Sequence, residues 1–352
     1  MMFYLDPQTF SQYYNCSSFT DNEIELSRQP KQLIGSMYLL SGIFFIILYI
    51  PSLWVMFWSD LRNLTAYKLL LYLGFVDVIT LLLNSCIIGV ITIAGTWLCT
   101  NPHLTYGMGV VLAGTWPATC LCSLTLVVNR ILDVARPKLA EALFNQQKVY
   151  FWLAIPTLYG VAFSLFTQPL IYNSQSLAFT FFPYPTHLKQ SNTIDKDIYK
   201  NIPHTVNNCL IIILLSVSYV LFCCIMFKRY TSVTNVGGSS VKINLLIQST
   251  SIALINLIAA ALYEYIQQYD FNQYIAVLGQ TSWIFNHGFS SVIFIVFNKT
   301  IRNKVKKMLS QRLNKIINKK NGKLQQDTTT KVIVLRTKQL TATNQALSHI
   351  LT

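Results

Sequence analysis

Residues 35–58 read GSMYLLSGIFFIILYIPSLWVMFW and contain no charged side chain. A helix needs about 20 mainly apolar residues to cross roughly 30 Å of hydrocarbon at a rise of about 1.5 Å per residue. The stretch is long enough for this, and the charged residues that bound it are Lys31 and Asp60. It therefore predicts a membrane-spanning helix rather than part of a soluble core.

Six further stretches have a similar length and character, and together they contain one charged residue, Asp77. Because lipid cannot satisfy the open edges of strands, isolated apolar spans of this length form helices. The six further predicted helices are residues 69–93, 106–128, 149–171, 204–227, 243–263 and 271–297. The predicted fold class is an all-α membrane protein, in which residues 35–297 form a bundle of seven transmembrane helices.

The composition of the whole chain agrees with this fold class. Of the 352 residues, 53% are apolar and 11% are charged, whereas roughly a quarter of a soluble domain is charged. In so apolar a chain we expect the surplus of Lys and Arg to set membrane orientation rather than to bind nucleic acid. The cysteines and histidines show no metal-ligand spacing, and no catalytic constellation is present. The sequence predicts no metal, no cofactor, no nucleic-acid partner and no enzymatic activity.

The basic residues are divided unequally between the two ends of the predicted spans. The loops after the first, third and fifth spans and the C-terminal tail hold 22 of the 27 basic residues, and the opposite side holds five. Basic residues concentrate on the cytoplasmic side of a membrane protein. The N-terminal segment, residues 1–34, is therefore predicted to be extracellular, and the C-terminus is predicted to be cytosolic.

The chain beyond the last span alternates basic and apolar residues. The apolar ones recur at helical spacing and are Ile301, Val305, Met308, Leu309, Leu313 and Ile316. This pattern predicts that residues 298–320 form an amphipathic helix on the anionic lipid of the inner leaflet. A solvated basic helix is the alternative, but the apolar stripe persists for about four turns. Residues 321–352 are predicted to be a polar cytosolic tail.

The cytoplasmic end of the third predicted span resembles that of rhodopsin-like G-protein-coupled receptors. Those receptors have D-R-Y there, followed by an aliphatic residue and a proline at fixed offsets. Here Asn129 and Arg130 are followed by Val134 and Pro137 at the same offsets. The second span also contains an L-x-x-x-D motif like that of the family, in which the aspartate is Asp77. The sixth and seventh spans lack the C-W-x-P and N-P-x-x-Y motifs of that family, so its detailed switch mechanics are not carried over.

The chain is most similar to the nematode serpentine chemoreceptors of class T, over residues Tyr14 to Lys304. The motifs that carry this resemblance are Asn15-Cys16-Ser17, Tyr38 through Pro51, Tyr67-Lys68, Gly95 to Pro102, Trp116, Asn129-Arg130, Asn286-His287-Gly288 and Phe297 to Arg302. The resemblance implies a rhodopsin-like seven-helix receptor in the plasma or ciliary membrane of a sensory neuron. It also implies that the receptor binds an external small molecule and activates a heterotrimeric G protein.

A small-solute transporter or channel built on seven helices is the alternative function. Such proteins usually place several ionisable groups near the midplane of the membrane, or use broken helices in corresponding halves. In this chain Asp77 is the one carboxylate deep within a span, and no repeat of one half in the other is apparent. The receptor is therefore favoured.

Asp77 and Arg130 are the predicted switch residues. A carboxylate within a span should face the bundle, and the partners expected for Asp77 are Asn84, Asn286 and Ser290. We expect a sodium- or proton-linked site that biases inactive against active states, with a neutral structural aspartate as the alternative.

Arg130 resembles the receptor lock that releases to contact the G protein, with Asp133 as its possible partner. The alternative is an interfacial arginine that only enforces topology. The offsets of Asn129, Val134 and Pro137 favour the lock.

Two cysteines are predicted to be extracellular, Cys16 and Cys99. Rhodopsin-like receptors bridge the cysteine before the third helix to one in the loop between the fourth and fifth helices, but that loop has none here. The resemblance and the pairing of external cysteines favour a Cys16–Cys99 disulfide. Free thiols or a bond from Cys99 to Cys209 remain the alternatives. Asn15 lies in a glycosylation sequon with Cys16 at its centre.

Ligand sites in helical bundles form between the outer halves of the helices. The polar and aromatic residues predicted to line such a pocket are Thr115, Trp116, Thr119, Glu264, Gln280 and Trp283. Helix packing is the alternative role for each aromatic residue taken singly.

Overall fold

The computed structural model describes residues 7–145, 147–185, 194–231, 239–269, 272–314, 317–318 and 337. The chain divides into two units, Met1–Ile301 and Arg302–Thr352. In the second unit, residues 302–314 and 317–318 are helical. Residues 315–316 and 319–320 of the predicted segment 298–320 and nearly all of the predicted tail 321–352 lie outside the described residues.

A long helix coincides with each of the seven predicted spans. These helices are α1 (Gln32–Trp58), α2 (Thr65–Ala94), α3 (Pro102–Ala135), α4 (Lys148–Phe166), α5 (Ile202–Thr231), α6 (Ser239–Gln268) and α7 (Gln273–Val296). In the described part of the chain, α1 to α5 are long and apolar enough to cross a membrane. The short helices Pro7–Tyr13 and Asp21–Leu26 precede them.

The helices pack in a closed order. α1 packs on α2 and α7, α3 packs on α2, α4 and α5, and α6 packs on α5 and α7. Within α2, residues Leu82–Ile87 form one π-helical segment between two α-helical parts. Such segments occur mainly at functional sites, because they re-aim side chains and free backbone carbonyls.

The fourth helix ends five residues earlier than the sequence suggested. The predicted span was 149–171, but α4 ends at Phe166 and Thr167 is extended. The cause is Pro169, because a proline disfavours the helical conformation of the residue before it. Residues Ile171–Asn173 instead form strand β1, which pairs antiparallel with β2 (Ala178–Thr180).

This hairpin is buried at one end of the helices, which we call the hairpin end. The Tyr172 hydroxyl lies 2.6 Å from the Thr92 hydroxyl of α2, and the Phe179 ring packs 5.4 Å from the Trp283 ring of α7. Tyr172 and Phe179 are paired across the two strands, so together they anchor both strands to the helices. The hairpin therefore covers the space between α2, α3 and α7.

The N-terminal segment lies against the hairpin end. The hydroxyls of Tyr184 and Tyr199 both donate to the Tyr13 carbonyl, and the Trp97 indole donates to the Ile24 carbonyl at 3.3 Å. Burial raises the pKa of Tyr199 to about 12, so this hydroxyl stays a donor at neutral pH. These bonds hold the segment in place.

A disulfide joins Cys16 of the N-terminal segment to Cys99 in the turn before α3. It is the pair that the sequence favoured over a bond to Cys209, which is free and exposed. The bond ties the segment to the helices at the same end as the hairpin.

Close helix contacts depend on glycine at the crossing of α3 and α4. A Cβ atom on Gly160 would lie 2.6 Å from the Gly114 carbonyl oxygen and 2.9 Å from the Cβ of Ala118. Neither neighbour is the flexible end of a side chain, so the backbones would have to separate. Without a hydrophobic driving force between helices in lipid, this close packing is itself stabilising.

We expect Gly160→Ala to lower the free energy of unfolding by about 1–3 kcal/mol, the usual cost of overpacking. Gly107→Ala is the matched control, because a Cβ there meets nothing within 4 Å. It should be neutral or stabilising by up to about 1 kcal/mol, since alanine favours helix. Thermal unfolding of both purified variants in detergent measures this, and equal destabilisation by the two would contradict it.

Removing either half of the disulfide should destabilise the protein equally. Cys16→Ser, Cys99→Ser and the double variant should each lose about 4 kcal/mol in the chain-entropy model for a loop of this length, and Cys209→Ser should lose nothing. Non-reducing peptide mapping should recover the linked peptides. A free Cys99, or one joined to Cys209, would show the pairing to be wrong.

Candidate functional site

The candidate site is centred on Asp77 of α2, whose side chain is buried with 4% of its surface exposed. Its Oδ2 accepts a hydrogen bond from the Tyr49 hydroxyl of α1 at 2.7 Å. Its Oδ1 lies 2.7 Å from Nδ1 of His287 in α7. One carboxylate thereby joins three helices.

These are not the partners that the sequence suggested for Asp77. Asn84 lies in the π-helical segment, about two turns beyond Asp77, and instead accepts from Gln280 of α7. Asn286 and Ser290 line a small cavity beside the carboxylate but do not bond it. The prediction of those three partners was therefore wrong, and His287 and Tyr49 take their place.

The protonation of His287 follows from its second partner. The Trp283 indole N–H donates to Nε2 of His287 at 2.9 Å. An indole N–H is a donor only, so Nε2 must be the unprotonated nitrogen. Nδ1 then carries the ring proton and donates a hydrogen bond to Asp77.

The Tyr49 hydroxyl faces two acceptors with one proton. It lies 2.7 Å from Asp77 Oδ2 and 2.8 Å from the His287 carbonyl oxygen. When Asp77 is ionised, the hydroxyl donates to the carboxylate. When Oδ2 is protonated, Asp77 donates to the Tyr49 oxygen and Tyr49 donates to the carbonyl, so the geometry accommodates either state.

A second polar link joins α2, α6 and α7 nearer the hairpin end. Gln280 Nε2 donates to the side-chain oxygen and the carbonyl of Asn84, each at 2.8 Å. Gln280 Oε1 accepts from the Tyr263 hydroxyl at 2.6 Å. The Asn84 carbonyl can only accept, so the orientation of the Gln280 amide is fixed.

A third group joins α3, α5 and α6. The Trp116 indole donates to Asn208 Oδ1 at 2.8 Å. The Asn208 amide nitrogen lies 3.2 Å from Glu264 Oε2 and 3.3 Å from Nδ1 of His204. Because Asn208 Nδ2 is a donor, the Nδ1 of His204 is an acceptor, the reverse of His287.

The six predicted ligand-pocket residues do not share one cavity. Trp116 and Trp283 line a cavity of about 10 Å³, and Thr119 lines one of about 20 Å³ beside Asp77. Cavities of this size hold about one water molecule. Gln280 and Glu264 are engaged as described above, and the Thr115 hydroxyl bonds the Leu112 carbonyl within its own helix.

The structure has a much larger cavity at the hairpin end, of about 640 Å³, which the sequence did not indicate. Its walls come from the hairpin, the segment before α5 and the adjacent ends of α6 and α7, with Phe181, Gln267 and Lys196 among the lining residues. Pockets for small molecules range over about 300–1,000 Å³. Phe181 also packs on the His204 ring, which lines the smaller cavity beneath.

The Arg130 end of α3 shows no ion pair to Asp133. The ion pairs among the described residues are Arg28–Glu25 and Lys200–Asp197, whereas the neutral His287 contacts Asp77 through a hydrogen bond. Asp133 is exposed, and a pair there would gain little against water. Arg130 and Asp133 therefore attract each other electrostatically, but they do not form a close ion pair in this structure.

The neighbours of Arg130 are arranged by the end of α3. Asn129 is buried, and its amide oxygen has no hydrogen-bond partner among the described residues. Val134 is partly buried in the last turn. Pro137 opens the short helix Pro137–Phe144, where its missing N–H costs nothing.

Long apolar helices that surround buried polar links are the architecture of a multi-pass helical membrane protein. Residues 1–319 match the family described as serpentine type 7TM GPCR chemoreceptor Srt. The chain therefore belongs to this family of multi-pass membrane receptors, and the class T resemblance is confirmed. It is similar to Serpentine receptor class T-55 of Caenorhabditis elegans, at 22% identity over 291 residues that cover 82% of this chain and 78% of that protein.

Substitutions at Asp77 should separate hydrogen bonding from charge. Asp77→Asn can accept from His287 and donate to Tyr49, so it should unfold at nearly the wild-type temperature. Asp77→Leu removes the only acceptor of the His287 Nδ1–H, at a cost of about 1–3 kcal/mol, while Tyr49 keeps the His287 carbonyl as its acceptor. Thermal unfolding in detergent measures both, and equal destabilisation by Asn and Leu would contradict the hydrogen-bond assignment.

Proposed function

We propose that this chain is a chemosensory receptor that binds an external small molecule and activates a heterotrimeric G protein. The observation that carries the proposal is the Tyr49–Asp77–His287 link between α1, α2 and α7. It lies between a cavity of ligand size at the hairpin end and Arg130 at the other. A ligand acts through such a link only if it binds one arrangement of the helices better than another.

In this proposal all seven long helices cross the membrane, with the hairpin end outside. The unequal distribution of basic residues supports this orientation. The Cys16–Cys99 disulfide supports it too, because such bonds persist in oxidising compartments. The receptor would lie in the plasma or ciliary membrane of a sensory neuron, and Asn15 would be on the side where glycosylation occurs.

The ligand would bind first in the cavity of about 640 Å³. Trp116 and Trp283 lie beneath it, separated by Phe181 and His204. Movement of this partition would open the lower cavity toward the polar groups around Asn208 and Glu264. The predicted residues Thr115, Thr119 and Gln280 would then respond to the ligand through helix movement rather than through contact.

Asp77 would act as the site whose occupancy biases the two states. Both protonation states fit its hydrogen bonds, as the two acceptors of Tyr49 show. The adjoining cavity of about 20 Å³ has room for one water-sized occupant, a water or a sodium ion. The buried Thr119 hydroxyl, which has no hydrogen-bond partner among the described residues, supports such an occupant.

Arg130 would couple to the G protein at the cytosolic end. An acceptor of the G protein would then compete with Asp133 and Tyr67, which attract Arg130 electrostatically in this structure. Val134 and Pro137 would shape the surface that the G protein meets. Residues 298–320 would lie on anionic lipid of the inner leaflet, where each nearby Lys or Arg contributes about 1 kcal/mol.

The test uses two substitutions at Arg130 in cells that express the full chain. Arg130→Ala and Arg130→Lys should both reach the surface, since the side chain lies at the boundary of the membrane. Both should reduce ligand-driven second-messenger output, because Lys keeps the charge but loses the planar array of donors. Surface density and second-messenger output are measured together.

Arg136→Lys is the matched control, because Arg136 is exposed at the same end, immediately after α3. It should leave output unchanged. Normal second-messenger output from Arg130→Lys at normal surface density would show that Arg130 serves only to set membrane topology. A chain that gives no output with any chemical in a broad panel would count against the receptor function itself.

A further inference from the structure

Trp283 and His287 form a hydrogen-bonded pair on one face of α7. The Trp283 ring lines the cavity of about 10 Å³ together with Trp116 and Tyr263. Its indole nitrogen lies 2.9 Å from Nε2 of His287, and Nδ1 of His287 lies 2.7 Å from Asp77. Two consecutive hydrogen bonds therefore connect a cavity-lining ring with the buried carboxylate.

The position of the Trp283 ring is set by three other rings. The ring centroids of Tyr263, Phe179 and Trp116 lie 4.9, 5.4 and 6.3 Å from it, each in an edge-to-face arrangement. These rings come from α6, the hairpin and α3, so the indole is in contact with all three elements.

The hairpin contact leads back to the large cavity. The Phe179 carbonyl accepts a hydrogen bond from Gln267 Nε2 at 3.0 Å, and Gln267 lines the cavity of about 640 Å³. Two contacts therefore connect Gln267 with Trp283, the hydrogen bond from Gln267 to Phe179 and the ring contact between Phe179 and Trp283.

The indole N–H decides which nitrogen of His287 is protonated. While it donates to Nε2, that lone pair is occupied and the ring proton must remain on Nδ1. If the indole withdraws, Nε2 becomes free to take up a proton from the solvent. The ring then becomes an imidazolium beside the ionised Asp77, or it passes its Nδ1 proton to Oδ1 of Asp77 and becomes the opposite tautomer beside a neutral Asp77. The groups that face His287 are the Asp77 carboxylate of α2, the Tyr49 hydroxyl of α1 and the Trp116 ring of α3.

We propose that Trp283 is a positioning residue that keeps the proton off Nε2 of His287 and thereby fixes the hydrogen bond to Asp77. Displacement of the surrounding rings releases this constraint and changes the protonation of the Asp77 site. The part that concerns His287 stands by itself, and the transmission to signalling rests on the proposed receptor function. In this proposal the ring that responds to displacement is Trp283 of α7, and Tyr263 of α6 packs against it.

The direct test is ¹⁵N NMR of the full chain labelled at histidine and held in lipid nanodiscs. Ring ¹⁵N shifts distinguish protonated from unprotonated nitrogens, and His287→Asn identifies the His287 signals by their loss. The wild-type protein should show His287 with an unprotonated Nε2 and a protonated Nδ1. His204 should not share this tautomer, because its Nδ1 accepts from Asn208.

Trp283→Phe keeps a ring in place but removes the donor, so Nε2 of His287 should become protonated. Trp152→Phe is the control, because it removes an indole N–H that bonds the Leu143 carbonyl instead, and it should leave the His287 signals unchanged. A protonated Nε2 in the wild-type protein, or an unchanged His287 in Trp283→Phe, would overturn the proposal. If Trp283→Phe does not fold, the wild-type spectrum still decides.

The signalling arm compares Trp283→Phe with Trp152→Phe at matched surface density. Trp152 loses the same kind of bond, from its indole to the Leu143 carbonyl, away from the site. Basal second-messenger output should change about 5-fold or more in Trp283→Phe, the lower end of typical coupling between sites, and not in Trp152→Phe. Unchanged output from a signalling receptor would overturn the transmission. Silence of the wild-type chain would count against the receptor function, while the NMR result would still decide the role of Trp283.

Discussion

A carboxylate buried among membrane helices must be supplied with hydrogen-bond donors, and Asp77 imposes this requirement on the structure. An unpaired ionised carboxylate at such a depth would cost several kcal/mol. Tyr49 and His287 meet the requirement from two other helices, and Trp283 in turn fixes the ring of His287. The relative positions of α1, α2 and α7 follow from these bonds more directly than from apolar contact, because lipid solvates apolar side chains as well as another helix does.

The other polar links likewise join helices through buried hydrogen bonds, at other positions along the helix axes. Gln280 connects Tyr263 of α6 to Asn84 of α2, and it uses a carbonyl that the π-helical segment leaves available. Asn208 connects Trp116 to Glu264. Between these links the aromatic rings pack edge to face, so the ring of Trp283 touches the hairpin, α3 and α6 at once. A movement of the hairpin is therefore transmitted through contacts that already exist.

Much of the fold was predictable from the sequence because membrane helices are encoded locally. Hydropathy alone located the seven long helices to within a few residues at most ends. Pro169 indicates in the sequence that α4 ends early. The prediction missed this end because it relied on the count of apolar residues. The Cys16–Cys99 pair could be chosen because few cysteines lie outside the predicted spans.

The candidate site was less predictable, because its bonds join residues far apart in the chain. Tyr49 and His287 lie 28 and 210 positions from Asp77, and no periodicity relates them. His287 is nevertheless the one histidine within its span, and a search for a donor to Asp77 could have found it. The six ligand-pocket residues were sought among polar and aromatic side chains, and only the packing of rings shows that the space between them is almost closed.

The central claim is that Asp77 is held by specific hydrogen bonds and not merely buried. A double-mutant cycle between Tyr49→Phe and Asp77→Ala, read as free energies of unfolding of the purified chain, measures this most directly. The account predicts a coupling energy of about 0.5–3 kcal/mol, as for other hydrogen-bonded pairs in contact. Effects of the two substitutions that add to within about 0.3–0.5 kcal/mol would contradict it.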